Sequence, residues 1–440
     1  MKIKSIILLL LLCVSAQAQG VYTLEQCKEL ALKNNTQAWN SRLSVLEAEQ
    51  AKKEAFTKYF PLVSATGLGF MTNRPMMQME MDLSGLFQAM GMPALPPIPL
   101  NMLENGLIGA VMAVQPVFAG GQIINGNKLA KIGVEASELQ RRMTDEEMAL
   151  TVEQYYWQIV TLEEKVKTLA EAEALLNRAH EDVNNAYSAG LVNKNDLLKV
   201  ELRKNELESS KLKVANGLKL SKMVLAQYVG VPYGDFEIAP GFPEAAVSAF
   251  NIRADHESAL LQRAEYQILD KSVDAAQLQL KMKRGENLPT AAVGLGYNYF
   301  NMDKGKDMPM ENHFGMAFAT VSIPLSGWWG GSHAIKKQKI QVQMAQNDKR
   351  NAEEMLLIQM QQLWNELAEA LLQVQLAERT IVSALENVRL NADYYEAGTG
   401  LLTDLLAAQS SLQQARDQYS DAMAAYCIKL TRYKQATGQV

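Results

Sequence analysis

Two stretches of this chain, 208 residues apart, share Tyr, Ala, Gly, Asp, Leu and Leu at matching places. Residues 187–198 read Tyr-Ser-Ala-Gly-Leu-Val-Asn-Lys-Asn-Asp-Leu-Leu, and residues 395–406 read Tyr-Glu-Ala-Gly-Thr-Gly-Leu-Leu-Thr-Asp-Leu-Leu. Each copy follows one long helical pattern and begins another. The shared Gly supplies the left-handed position that ends a helix. Asn195 or Thr403 then precedes an Asp, which suits the first turn of the next helix. Each copy therefore reads as a tight reversal between antiparallel helices, and the chain as an internal duplication.

The offset reaches beyond the tips. Pro116 and Pro324 share it. Val152, Tyr155, Ile159, Leu162, Val166, Leu169, Leu176 and Val183 step by threes, fours and sevens, which is a coiled-coil seam. Their partners are Met360, Leu363, Leu367, Ala370, Val374, Ala377 and Ala384, with Asn391 as the exception. Glu173 and His180 are polar residues on the stripe, a pattern that more often sets register than chemistry. Each half then has the same order of parts. A helix (23–58 or 254–286) leads to a pair of strands (62–72 with 107–118, or 290–300 with 314–325). A very long helix (127–187 or 333–395), the tip, and a shorter helix (196–228 or 404–433) follow. At 1.5 Å per residue the long helices reach roughly 90–100 Å and the shorter ones about 50 Å. One long helix thus needs two shorter ones end to end to match it. The junction 229–253, rich in Gly and Pro, breaks the returning leg and suits a small irregular belt. The domain boundaries expected are a leader at 1–18, a first repeat at 19–230, an equatorial linker at 231–253, and a second repeat at 254–440 with its tail in the belt.

The strands look like membrane hairpins. Ile108, Met112 and Val114, then Val293, Leu295, Tyr297 and Tyr299, then Phe314, Met316 and Phe318 alternate with small or polar residues, as lipid-out, lumen-in strands do. Strand 62–72 alternates poorly, and an internal β-sandwich is the alternative. Pro61, Pro116, Pro289 and Pro324 read as four helix–strand junctions. Trp328 and Trp329 read as anchors at the membrane–water boundary. The connection 73–106 is dense in Met and Pro, so it is either a soft-metal site or an adaptable surface loop.

The first residues are Met-Lys-Ile-Lys, an apolar run, and Ala16-Gln17-Ala18, which is a secretory leader with its cleavage site. Cys13 is not preceded by the small residue a lipid-attachment site expects, since Leu12 stands there. Losing Lys2 and Lys4 leaves 41 Lys and Arg against 48 Asp and Glu. That balance argues against a nucleic-acid partner. Cys27 and Cys427 remain; export permits a disulfide, and two unpaired helix residues is the other reading. No later apolar run has the length of a transmembrane helix, so any membrane segment is built of strands.

No catalytic constellation, metal-ligand spacing or cofactor motif appears; His180, His256, His313 and His333 are scattered. Gly120-Gly121 and Gly330-Gly331 lack the Lys and Ser/Thr of a phosphate loop and suit turns from strand to helix. Four strands cannot close a barrel, eight close one filled by side chains, and about twelve leave a water-filled passage. Strand count therefore points to a homotrimer. A periplasmic coiled-coil scaffold or adaptor without a pore is the competing reading, and an exported helical enzyme has no residues to support it.

The chain resembles the TolC family of outer-membrane efflux proteins. The resemblance rests on Tyr22-Thr23-Leu24-Glu25 with Ala31-Leu32-Lys33-Asn34-Asn35, on Phe60-Pro61-Leu62 before Gly67-Leu68-Gly69-Phe70, on Leu288-Pro289 before Gly294-Leu295-Gly296-Tyr297, and on the two tips. It implies a mixed α and β channel-tunnel protomer: long antiparallel coiled-coil helices in the periplasm, and four strands given to a shared trimeric barrel in outer-membrane lipid. It also implies partners, a periplasmic adaptor and an inner-membrane pump of the RND or ABC type. Adaptor docking would fall on Ala189, Gly190, Leu191, Ala397, Gly398 and Thr399. A periplasmic gate would fall on Asp196, Leu197, Asp404 and Leu405. The two Asp are either N-terminal helix charges or rings that select cations. Where some relatives carry an Arg and a second acidic residue in the second tip, this chain has Gly400 and Ala407.

Overall fold

A computed structural model describes residues 21–74, 77–93, 96–102, 105–233, 236–243, 252–303, 310–325 and 327–439. The leader at 1–18 and its cleavage site lie outside the described residues, as do Met76 and part of the 231–253 linker. In chain order the elements are β1 (Val21–Tyr22), α1 (Leu24–Asn34), α2 (Thr36–Thr57), β2 (Leu62–Met71), β3 (Met77–Met81), α3 (Ser84–Ala89), β4 (Ile98–Met102) and β5 (Asn105–Ala119). Then come α4 (Gln122–Ser188), α5 (Lys194–Val229), β6 (Glu237–Ile238), α6 (His256–Leu260), α7 (Ala264–Gly285), β7 (Thr290–Asp303), β8 (Met310–Ser322), α8 (Gly327–Glu396) and α9 (Leu402–Ala436). The 67 residues of α4 and the 70 of α8 make each about 100 Å long. No helix among the described residues is long and apolar enough to cross a membrane.

The chain divides into two compact units, and both halves of the duplication contribute to each. The first holds the residues up to Leu46, Ala136–Asp270 and Asn347 onward. Its main core gathers Cys27 and Ala31 of α1, Val152, Tyr156 and Ile159 of α4, Leu225 and Val229 of α5, Leu367 of α8, and Tyr426 and Tyr433 of α9. Near the expected linker, β1 pairs parallel to β6, with Tyr22 stacked on Phe236 at 5.2 Å.

Two helices expected to be continuous are broken. Thr23 starts α1 with a capping box: its hydroxyl accepts from Gln26 N, and Gln26 Oε1 accepts from Thr23 N at 2.9 Å. Asn35 then stops the helix at an extended ψ of 137°, and its Oδ1 accepts from Gln37 N at 2.8 Å to start α2. Its amide donates to Tyr228 O, so the break is held against the end of α5. The same happens before α7, where Asp255 caps the short α6 by accepting from Ser258 N.

The second unit holds Glu47–Glu135 and Lys271–Gln346. Its four long strands form one antiparallel sheet in the order β2-β5-β7-β8, because β5 joins the two expected hairpins by pairing with β7. β2 and β8 are the edges. The connection 73–106 contains a second hairpin, β3 with β4, and the short α3.

The register corrects the expected sidedness. Val114, Met112 and Ile108 share a face with Gly294, Gly296 and Phe300, and that face continues to Phe318, Met316 and Asn312. Val293, Leu295, Tyr297 and Tyr299 point to the opposite face, across from Ala319, Ala317, Gly315 and His313. The bulky sets of neighbouring strands therefore alternate between faces. Knob meets glycine: a Cβ on Gly294 would lie 2.4 Å from the Phe318 ring. Pro116 is also corrected, since it lies inside β5 rather than at a junction. It sits where the pairing with β7 shifts between Pro116 and Phe118, and a bulge tolerates the missing N–H. Pro61, Pro289 and Pro324 lie just outside β2, β7 and β8. Gly120 and Gly121 make the turn into α4 with φ of 59° and 76°. Gly330 and Gly331 instead lie within the first turns of α8.

Candidate functional site

Both tips close α4 and α8 with the same hydrogen-bond pattern. Gly190 N donates to Tyr187 O and Leu191 N to Ala186 O, each at 2.9 Å. Gly398 N donates to Tyr395 O and Thr399 N to Tyr394 O, each at 3.0 Å. These are Schellman ends, with Gly190 at φ 73° and Gly398 at φ 71°.

The restarts differ. α5 begins at Lys194, with Asn193 rather than Asn195 as its cap; Asn193 Oδ1 accepts from Asp196 N at 3.2 Å. The duplicated position is Leu401, which caps α9 with no side-chain bond and is 66% exposed. An Asn-to-Ala change at a cap costs about 1 kcal/mol. Asn193→Ala is therefore expected to loosen the first tip by about that much, and Leu401→Asn to tighten the second by a similar amount. Amide exchange of residues 194–199 and 402–407 measures both changes.

The expected docking residues Ala189, Gly190, Leu191, Ala397, Gly398 and Thr399 are all exposed. Leu191 is 79% exposed, the most open large apolar side chain of either tip. The expected gate residues separate. Asp196 is half-buried and paired to Lys199 at 3.0 Å. Asp404 is exposed, and the duplicate of Lys199 is Ala407, which offers it no such partner. Leu197 packs at the edge of a cluster of Leu169, Leu176, Val183, Val200, Leu207 and Leu402. Leu405 is buried within its own chain. Gly400 has a local reason: a Cβ there would stand 2.9 Å from that of Tyr394.

Above the tips the seam is apolar with polar ties. Val152, Ile159, Leu169, Leu176 and Val183 are buried, as are Met360, Leu367, Ala370, Val374, Ala377 and Ala384; Val166 is the exposed exception. Glu173, the polar residue on the stripe, takes Lys211 of α5 at 2.9 Å. Lys222 of α5 reaches Glu163 at 2.8 Å. Three further ties reach α9: Lys165 to Asp421, Arg416 to Glu171, and Arg203 to Ser410. Sequence reasoning missed these three, because their partners stand more than 200 residues apart. Cys27 and Cys427 are unpaired and buried, and burial pushes each thiol up to about 12. Among the described residues no group of three or more His, Cys, Asp and Glu could hold a metal.

Residues 256–439 match the family model described as outer membrane efflux protein. Over that stretch the chain is similar to the outer membrane efflux protein family. It is 19% identical to "Outer membrane protein TolC" of Vibrio cholerae over 322 residues, covering 70% of this chain and 73% of that protein. It is 22% identical to "Alkaline protease secretion protein AprF" of Pseudomonas aeruginosa, covering 69% of this chain and 63% of that protein. The crystal structure of the outer membrane protein VceC of Vibrio cholerae shares its fold with a TM-score of 0.74 at 15% identity, over 94% of this chain and 96% of that one. The chain accordingly has the channel-tunnel fold.

Proposed function

We propose that three copies of this chain share one barrel of about twelve strands and form the exit duct for an inner-membrane pump, joined through a periplasmic adaptor. The observation that carries this reading is the four-stranded sheet with β2 and β8 as unpaired edges. An exposed edge in lipid leaves backbone donors and acceptors unsatisfied, and closure with another copy removes that cost. The cargo is small toxic molecules, or an exported protein in a secretion system. The tip gates it: the helical ends turn outward when pump and adaptor favour the open state. Adaptor hairpins dock at Ala189–Leu191 and Ala397–Thr399, where Leu191 offers an apolar contact.

Asp404 faces solvent in the gate, and three copies would make a carboxylate ring. Asp404→Ala is expected to weaken block of single-channel current by divalent cations in planar bilayers at least several-fold. Unchanged block would leave Asp404 as a helix N-terminal charge only.

A further inference from the structure

The seam between α4 and α9 contains a carboxylate that its neighbours do not satisfy. Asp417 lies one turn before Asp421 on α9 and is half-buried. Its Oδ1 is buried without a hydrogen-bond partner. Lys165 of α4 and Arg416, the neighbour of Asp417 on α9, are already engaged. Lys165 of α4 gives its ammonium to both oxygens of Asp421, at 2.8 and 3.0 Å. Arg416 is bonded to Glu171 of α4. Gln413, one turn back on α9, gives Asp417 a side-chain bond. The two carboxylates of α9 thus compete for one lysine, and the geometry gives it to Asp421.

We infer that Asp417, Asp421 and Lys165 form a proton-dependent clasp between the first helical hairpin and α9, which acid tightens. With Asp417 ionised, the closed seam holds a desolvated charge beside a like charge. With Asp417 protonated, the buried, unsatisfied charge is gone and Lys165 belongs wholly to Asp421. The direction follows from linkage. Burial is the largest influence and raises the carboxyl of Asp417; the attraction of Lys165 comes next and lowers it, followed by the repulsion of Asp421, which raises it, and the bond from Gln413, which lowers it, and burial prevails. A carboxyl raised in the closed seam binds its proton more tightly there than when the seam opens to water. The closed form therefore gains stability as pH falls through the raised value, toward the ordinary carboxylate value of about 4. It loses that stability as pH rises. The seam itself carries this inference; only its effect on conductance rests on the exit-duct reading.

The test uses the full-length protein in detergent, with amide exchange of residues 410–424 followed from pH 7.5 to about 4 and corrected for intrinsic rate. Wild type is expected to gain protection as pH falls across that range. Asp417→Asn, which keeps the shape and removes the charge, is expected to be well protected throughout and flat with pH. Asp421→Asn frees Lys165 for Asp417 and is expected to reverse the sign, so that acid loosens the seam. A wild-type pH response in Asp417→Asn, or an unreversed one in Asp421→Asn, would overturn the clasp. Conductance is read separately: wild-type channels should close more as pH falls toward about 4, and Asp417→Asn channels should not respond. Exchange that behaves as expected in a protein that never conducts would keep the clasp and sink the duct.

Discussion

Glu153→Ala is expected to destabilise the helical unit by about 3 kcal/mol, because it strips a buried carboxylate from three donors at once. Glu153 is 2% exposed on α4. Lys28 Nζ of α1 reaches it at 2.5 Å, Trp157 Nε1 at 3.0 Å, and Thr431 Oγ1 of α9 at 2.8 Å. One side chain thus ties the start of the first repeat to the end of the second. Removing it leaves an ammonium, an indole N–H and a hydroxyl without an acceptor in the main core. The same logic predicts rescue. Lys28→Met with Glu153→Met removes both charges and is expected to recover most of the loss, since buried ion pairs compare poorly with packed apolar groups of like volume. The urea midpoint of the detergent-purified protein measures both. A single variant as stable as wild type would mean the carboxylate contributes little.

Gly120→Ala is expected to cost about 3 kcal/mol in the strand unit. Gly120 has φ 59°, which disfavours any Cβ by roughly 1–2 kcal/mol. A Cβ there would also lie 2.2 Å from Gly285 O, and one on Gly285 would lie 2.2 Å from Gly120 O. Two stretches of backbone touch at these glycines, the turn from β5 into α4 and the end of α7. Neither can retreat without moving a strand, and such overpacking typically costs about 1–3 kcal/mol. Gly133→Ala is the contrast. It lies inside α4, where an added Cβ would meet nothing within 4 Å, and helix propensity predicts a gain of about 1 kcal/mol. Yield of folded protein in outer-membrane fractions should fall for Gly120→Ala and hold for Gly133→Ala.

The duplication made most of the helical architecture legible. Long apolar periodicity and a glycine at each end leave few alternatives, and α4, α5, α8 and α9 end within a few residues of where their patterns stop. What the pattern hid has physical causes. Asn35 looks like one more polar position on a helix face, and its bond to Tyr228 O, 193 residues away, joins its local cap on Gln37 N in making it a break. β3 did carry a signal, since Met77, Met79 and Met81 alternate with Gln78 and Glu80, but the surrounding prolines made it read as loop. Sidedness was not legible at all. The Gly-Leu-Gly-aromatic motif occurs in β2 and β7, yet Leu68 lies across from Ile108 while Leu295 lies across from Ala113. Ile108 and Ala113 are on opposite faces of β5, so one residue of register sends the same motif to opposite sides. At the tips, local chemistry fixed the glycines, whereas the contrast between Asn193 and Leu401 needed the cap geometry to be seen.

The mass of the purified protein–detergent particle, by light scattering with the detergent contribution removed, decides whether one chain's sheet is completed by its neighbours. Three chains per particle is the expected result. A single chain per particle, stable and with β2 and β8 both unpaired, would contradict it.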